Sequence, residues 1–452
     1  NKNFNMRIII FDPYKTGNFK INKDQAGGYG TSNEIGSNVF SVILSAFLKK
    51  TINYSPMFAV YTYSVLKKKG FDVHYTKNFD DIKDCDLCLV TSSIVCHETE
   101  INYLKKLKEK KVYTGVMGSF CTTLPDLYLK QANFVVSGEP EFFFLNQDIK
   151  KIINEKPSGI LKNLGNSSLD DLPYPSWDQT FKYGGPRAFF ISLFQKTIPI
   201  LYSRGCPYSC FHYCTYPTQQ GRVVRRRSVD NLIGEIEYWS KNYNIKNFLF
   251  RDPVFSINNK LTLEVCKKIK EAGLKIKFGI ETHLNNLSED LAKELYDCGL
   301  RYIEVGIESV TDKVIKASKR FSIEKEKEIT LIKSIEKIGI KIKTMFIYGL
   351  PLDDLKTCQD SLDFAKKINA SYSQYNIFTP YPGTPIYKEY EEKIISNKYE
   401  DFSQTNLVFK HDKLSKKDLS NMISKSYRDY YLRTDYFFKI FNNIFKKLSV
   451  TS

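Results

Sequence analysis

The sequence predicts an α/β protein: a doubly wound, Rossmann-like N-terminal domain, then a partial (β/α)6 barrel, then a helical C-terminal region. Three observations predict it. Short apolar runs alternate with helical patterns over residues 6–150. A second series of the same kind runs over residues 196–385. Between them, residues 151–195 lose the alternation and include SSLDDLPYPSWD (167–178), whose two prolines read as a linker, with Trp177 as a packing residue.

In the first series, MRIIIFDP (6–13) is a strand ended by proline, and the Gly-, Asn- and Lys-rich residues 14–37 read as a long functional loop. SPMFAVYTYSVLKKKG (55–70) has helical spacing, with Ser55 and Pro56 as start signals and Gly70 as the stop. FDVHYT (71–76), CDLCLVTSS (85–93), KVYTGVMGSF (111–120) and ANFVVSGE (132–139) read as strands, and HETEINYLKKLKEK (97–110) as an amphipathic helix. Ligands on doubly wound sheets lie beyond the carboxyl ends of the strands. Those ends are Thr91, Ser92 and Ser93, then Gly118 and Ser119, then Gly138 and Glu139.

In the second series, IPILYSRGC (198–206) is a strand running into a cysteine loop. Strands follow at NFLFRDPVF (247–255), KIKFGIETH (275–283), YIEVGIES (302–309), IKTMFIYGLP (342–351) and SQYNIFTPYPGTP (373–385). Helical patterns at 227–243, with Ser228 as N-cap, and at 259–273, 288–299 and 322–338 separate them. Six strand units fall short of the eight that close a full barrel. The C-terminal region, 386–452, is helical and basic. Its YRDYYLRTDYFFKIFNNIFKKL (427–448) either packs an aromatic face on the barrel or lies on a membrane surface.

The 452 residues carry a net charge of +17, from 67 Lys and Arg against 50 Asp and Glu. The charge reads either as the mark of an anionic partner (nucleic acid, phospholipid or a phosphorylated substrate) or, because the lysines are spread along the whole chain, as the composition an AT-rich genome produces, which is favoured; no nucleic-acid-binding motif appears, and no nucleic-acid partner is expected. There is no apolar run of about 20 residues and no export signal, so a cytoplasmic location is expected. The 10 cysteines are accordingly not read as a disulfide framework. Three of them, Cys206, Cys210 and Cys214, fall within nine residues, in SRGCPYSCFHYCTYP (203–217). They could hold zinc, with His212 as a fourth ligand. They could instead hold three irons of a [4Fe–4S] cluster and leave the fourth iron open. The loop follows the first barrel strand, a catalytic position, which favours the cluster.

RGCPYSC in this loop, FRDPVF after the second barrel strand, VGIES on the fourth and IYGLP on the fifth together resemble the radical SAM (S-adenosylmethionine) superfamily. The resemblance implies that the three cysteines hold the cluster, that SAM chelates its open iron, and that an electron splits SAM into methionine and a 5′-deoxyadenosyl radical. The usual spacing is Cys-x3-Cys-x2-Cys, whereas here Tyr213 stands where the third cysteine is expected and Cys214 follows it. Either Cys214 or His212 completes the set. A helical turn would bring positions four apart to one face, and soft thiolate suits iron–sulfur chemistry, which favours Cys214. By position in the family pattern, Asp252, Glu308, Arg225 and Gly349 are expected to contact SAM.

TSSIVC (91–96), GVMGSFCTTLPD (115–126) and VVSGEPE (135–141) resemble the cobalamin-binding domain of cobalamin-dependent radical SAM enzymes. Thr91, Ser92, Ser93, Gly118, Ser119, Gly138 and Glu139 are then expected to line the cobalamin pocket. The D-x-H-x-x-G signature is absent, so no histidine is expected beneath cobalt. The implied function is a cobalamin-dependent radical SAM methyltransferase acting on carbon or phosphorus of a small-molecule, lipid or peptide substrate, with an electron donor such as flavodoxin or ferredoxin. The alternatives are cyclisation, ring contraction or carbon coupling without methylation, and a non-catalytic sensor.

Overall fold

The computed structural model describes residues 6–15, 21–24, 27–32, 34–163, 165, 167–321 and 323–439. Strands β1 (Arg7–Phe11), β2 (Asp72–Thr76), β3 (Leu87–Thr91), β4 (Thr114–Met117), β5 (Phe134–Ser137) and β6 (Gly159–Lys162) form one sheet in the order β2-β1-β3-β4-β5-β6. All its pairs are parallel. Ile8 to Phe11 and Leu87 to Thr91 are buried throughout, as expected for central strands covered on both faces. The order reverses at β1, which places a topological switch point between the carboxyl ends of β1 and β3. Strand β6 lies within the segment read from sequence as a linker. It is an edge strand with no fully buried residue, so it lacks the apolar run that would announce it.

The second sheet contains β7 (Ile198–Ile200), β8 (Asn247–Phe250), β9 (Lys277–Thr282), β10 (Leu300–Glu308), β11 (Lys341–Tyr348) and β12 (Tyr372–Ile377). They stand in sequential order and pair in parallel. Helices Val229–Tyr243, Asn259–Glu271, Glu289–Asp297, Lys325–Ile338 and Leu355–Ile368 make the crossovers. The Ser228 side chain caps the first of these by accepting from Asn231 N at 3.2 Å.

A helix without a sequence assignment spans Val39–Thr51, capped by Asn38, whose Oδ1 accepts from Ser41 N at 2.8 Å. The C-terminal helix Lys416–Tyr431 lays its tyrosines on β12. Tyr430 donates to Ala370 O at 2.6 Å and Tyr431 to Ser373 O at 2.9 Å. Trp177 is fully buried. Residues 440–448 of the aromatic C-terminal segment lie outside the described residues. Among the described residues no helix is long and apolar enough to cross a membrane.

Candidate functional site

β7 feeds a short antiparallel ribbon, Ser203–Arg204 against Arg225–Arg226, and the cysteine loop opens from it. Gly205 turns the chain at φ +91°, where any Cβ would collide with the Val223 carbonyl, so only glycine fits between ribbon and Cys206. Cys206 N donates to Gly221 O at 3.2 Å. Residues Ser209–His212 form a helical turn, and Tyr213 N and Cys214 N both donate to Cys210 O, at 3.1 and 3.0 Å. The additional residue is thus absorbed by a closed turn that carries Cys210 and Cys214 on one face. Burial raises the Cys206 thiol to about 11 and pushes Cys210 and Cys214 up as well, with the neighbouring thiols adding to the effect on Cys214. Thiolates here therefore need a cationic partner to exist at neutral pH.

Zinc would need tetrahedral convergence of ligands at about 2.0–2.3 Å from one centre. Among the described residues no three His, Cys, Asp or Glu converge so on a single-ion position. His212 is engaged elsewhere, with Nδ1 3.2 Å from Lys319 Nζ and Nε2 3.4 Å from Glu389.

A cavity of about 480 Å³ opens beside Cys214, walled by β9 to β12, the C-terminal tyrosines and helix Val39–Thr51. Across its wall runs a row in register: Glu281 on β9, Glu304 on β10, Lys343 on β11 and Tyr372 on β12. Glu304 bonds Lys343 at 2.9 Å and accepts from Tyr302 OH at 2.9 Å. Burial pushes the Glu304 carboxyl up, but Lys343 and Arg251 outweigh it and hold the group below its ordinary value. Glu281 has weaker partners, Arg251 at 3.9 Å and Tyr216 OH at 3.4 Å. Burial, with Glu304 opposite, raises it to about 7. Adjacent strands thus carry one ionised carboxyl and one that titrates near neutrality, a pattern typical of functional sites.

The sign of the resulting pH effect is fixed. Between about 4.5 and 7 the folded chain holds the Glu281 proton and the unfolded chain releases it, so this group's stability contribution is full below 4.5 and lost as pH rises through 7. Glu281→Gln is expected to flatten the fall in melting temperature across that window. Parallel wild-type and variant melting curves between those pH values would refute the assignment.

The structure places each residue singled out by sequence. Asp252, fully buried beyond β8, accepts from Tyr202 N at 3.1 Å and from Ser203 N and Oγ, the latter at 2.6 Å. Burial raises it to about 6. It fastens the backbone just ahead of the cysteine loop. Glu308 lines the cavity, at φ +64° where the β10–β11 register shifts, with Arg320 Nη1 at 3.2 Å. Arg225 is bound 2.8 Å from Glu139, and Gly349 sits against Leu419 of the C-terminal helix. Neither residue lines the cavity.

Around the switch point, Thr91 Oγ1 donates to Asp12 at 2.7 Å and accepts from Lys23 Nζ at 3.1 Å. Ser92 Oγ accepts from Cys121 N at 3.1 Å, and Ser93 N donates to Glu100 at 3.1 Å. Gly118 and Ser119 follow Met117 of β4, and a Cβ on Gly118 would press on Ser92 Oγ. Gly138 N donates to Thr122 Oγ1 at 3.0 Å. Glu139 binds Arg204 at 2.5 Å, which also binds Glu141 at 2.6 Å. Above these strand ends the chain itself packs: Gly28 approaches both Ser119 and Gln219 so closely that a side chain there would collide with them. None of the seven strand-end residues belongs to the wall of the large cavity.

Sequence reading passed over Arg251, Glu281, Glu304 and Lys343. The signal for Glu304 and Lys343 was present, because Glu304, Gly306 and Glu308 and then Lys341 and Lys343 recur at every second position of their strands.

Residues 200–365 match the family model of the radical SAM superfamily. The chain carries a radical SAM domain. An uncharacterized methyltransferase of Pyrococcus horikoshii is 26% identical over 76% of this chain and 77% of its own length. The bacteriochlorophyllide d C-12(1)-methyltransferase of Chlorobaculum tepidum is 23% identical over 81% of each. Among solved structures, TsrM from Kitasatospora setae, a radical S-adenosylmethionine methyltransferase with cobalamin and a [4Fe–4S] cluster bound, superposes with a TM-score of 0.62. That match has 13% identity over 86% of this chain and 75% of TsrM. OxsB, a cobalamin-dependent S-adenosylmethionine radical enzyme, gives a TM-score of 0.60 with 14% identity over 95% of this chain and 62% of its own. The fold surrounding the radical SAM domain is therefore shared with these enzymes.

Proposed function

We propose that this chain is a radical SAM methyltransferase of the kind its cobalamin-dependent relatives represent. One observation carries the reading: the cysteine loop borders the large cavity through Cys214, with Glu308 also in its wall. Residues 196–385 are read as the partial (β/α)6 barrel, residues 6–150 as a cobalamin-binding type of domain, 151–195 as the connection and 386–452 as the helical C-terminal region. The donor set fits a [4Fe–4S] cluster, because three thiols share one loop and His212 is committed to Lys319 and Glu389. When bound, the cluster supplies the electron that splits SAM.

The chain's own residues do the rest. Cys206, Cys210 and Cys214 hold the cluster, and Asp252 fixes the backbone from which their loop springs. Glu308 and Arg320 offer a carboxylate and a guanidinium to the polar groups of SAM. Glu281 offers a proton near neutrality, beside the charged Glu304–Lys343 pair. The tyrosine walls keep water from a radical. An electron donor such as flavodoxin or ferredoxin would reduce the cluster.

Cobalamin enters through the relatives. Thr91, Ser92, Ser93 and Ser119 are buried, with Lys23 against Thr91 and Gly28 against Ser119. TsrM and OxsB bind cobalamin, and in this chain the same strand ends are the proposed lining of its pocket; no step is assigned to cobalt here.

Anoxically reconstituted protein given SAM, a strong reductant and candidate substrate is expected to form both 5′-deoxyadenosine and S-adenosylhomocysteine. The first product alone would replace methylation by cyclisation, ring contraction or carbon coupling. Formation of neither would leave a non-catalytic sensor. Cobalt analysis of the same material, prepared with hydroxocobalamin, decides the corrin.

A further inference from the structure

Three segments border the cavity, and each turns apolar side chains both into it and away from it. Helix Val39–Thr51 sets Leu44 and Leu48 in the wall and leaves Val39 78% and Ile43 64% exposed, with Val42 exposed between them. The loop after Ala188 sets Phe189 and Phe190 in the wall and leaves Phe194 91% exposed. The C-terminal segment sets Tyr431 and Tyr436 in the wall and leaves Leu432 and Phe438 exposed.

The segments touch one another through their rings. Phe47 meets Phe189 at 5.2 Å between centroids, Phe189 meets Tyr372 at 5.6 Å, and Phe40 meets Tyr431 at 6.3 Å. The exposed apolar residues therefore belong to one neighbourhood flanking the cavity. A helix facing water normally carries polar residues on its outer stripe. Here Val39, Val42 and Ile43 occupy that stripe, the helix has no acidic residue, and it ends in Lys49 and Lys50. Exposed apolar side chains gathered on neighbouring segments in this way mark an interaction site.

We propose that this face docks on an anionic lipid bilayer, and that the cavity draws an amphipathic substrate from it. An apolar stripe on a helix that ends in Lys49 and Lys50, on a chain of net charge +17, is the chemistry that binds an anionic membrane surface. The cavity continues the pattern, with apolar walls next to the docking face and the Glu281–Glu304–Lys343 row on the strands behind. That arrangement fits a molecule whose polar end reaches the charged row while its apolar part stays at the rim. The substrate half rests on the proposed function, and the docking half stands without it.

The full chain is to be sedimented with vesicles of phosphatidylcholine alone and of an equimolar mixture with phosphatidylglycerol, without SAM or reductant. Wild-type protein is expected in the pellet with the anionic vesicles. Val42→Asp combined with Ile43→Asp is expected to reduce that partition about tenfold, and Phe194→Ser to weaken it, with helical content and cluster loading unchanged. Failure of the wild type to bind either vesicle overturns the proposal, as does undiminished binding by the double aspartate variant. A dimer that the same variant dissolves, without vesicle binding, would assign the face to a second copy of the chain. Because the readout needs no SAM cleavage, loss of the catalytic reading leaves this result standing.

Discussion

Replacing Cys206, Cys210 or Cys214 singly by alanine is expected to abolish the iron–sulfur cluster, leaving iron and sulfide near zero after anoxic reconstitution and no 5′-deoxyadenosine. The physical reason is the absence of a spare ligand. Each thiol is held by its own backbone fastening: Cys206 through Gly221, Cys210 and Cys214 through the turn closed on Cys210 O. The one imidazole in the loop, His212, is turned to Lys319 and Glu389. His212→Ala is therefore expected to retain full iron content. The contrast between Cys214→Ala and His212→Ala is the decisive comparison, since sequence alone leaves the two competing for the third position. Full iron in the Cys214 variant, with loss in the His212 variant, would show that the turn rearranges on loading and would overturn the ligand choice.

Much of this architecture is legible in the sequence because buried parallel strands must be apolar. IIIF of β1 and LCLV of β3 announce themselves, and the same holds for the crossover helices with their polar caps. Legibility fails where burial does not set the pattern. β6 is an edge strand of GILK, and no apolar run marks it. Helix Val39–Thr51 buries Ser41 and Ser45 and exposes Val39, Val42 and Ile43, the reverse of the stripe by which a helix is recognised. The cysteine triplet is readable because its chemistry lies in local spacing. The Glu281–Glu304–Lys343 row is not local: it exists only because three separate strands align in register. Alternation within each strand shows that one face is polar, but only the assembled sheet shows that this face encloses a cavity. Strand-end residues such as Thr91 and Ser93 were selected by a sound rule, yet what occupies the space above them depends on a loop whose path no pattern encodes.

That loop carries the second large effect. Lys23 is fully buried and lies 2.9 Å from Glu100, 3.4 Å from Asp12 and 3.1 Å from Thr91 Oγ1. Glu100 also accepts from Tyr128 OH at 2.7 Å, and Asp12 from Tyr75 OH at 2.5 Å. One ammonium thus sits between two buried carboxyls at the switch point of the first sheet. Burial alone would drive Lys23 to lose its proton, but Glu100 and Asp12 more than reverse this and hold it charged. Lys23→Met removes the cation and strands Glu100 in a dry site, while Asp12 keeps Lys77 at 3.7 Å; breaking a buried pair in this way costs about 3–5 kcal/mol. At roughly 2–4 °C per kcal/mol for a domain of this size, the melting temperature should fall by on the order of 10 °C. Adding Glu100→Gln to Lys23→Met should recover much of the loss, because the two residues share one interaction and their effects are not additive. If Lys23→Met melts with the wild type, the ammonium does not bridge these acids. If the single variant is destabilised and the double is not rescued, the cost lies in packing of the lysine stem against Tyr14, whose ring centroid is 5.1 Å from Nζ, and the charge argument fails.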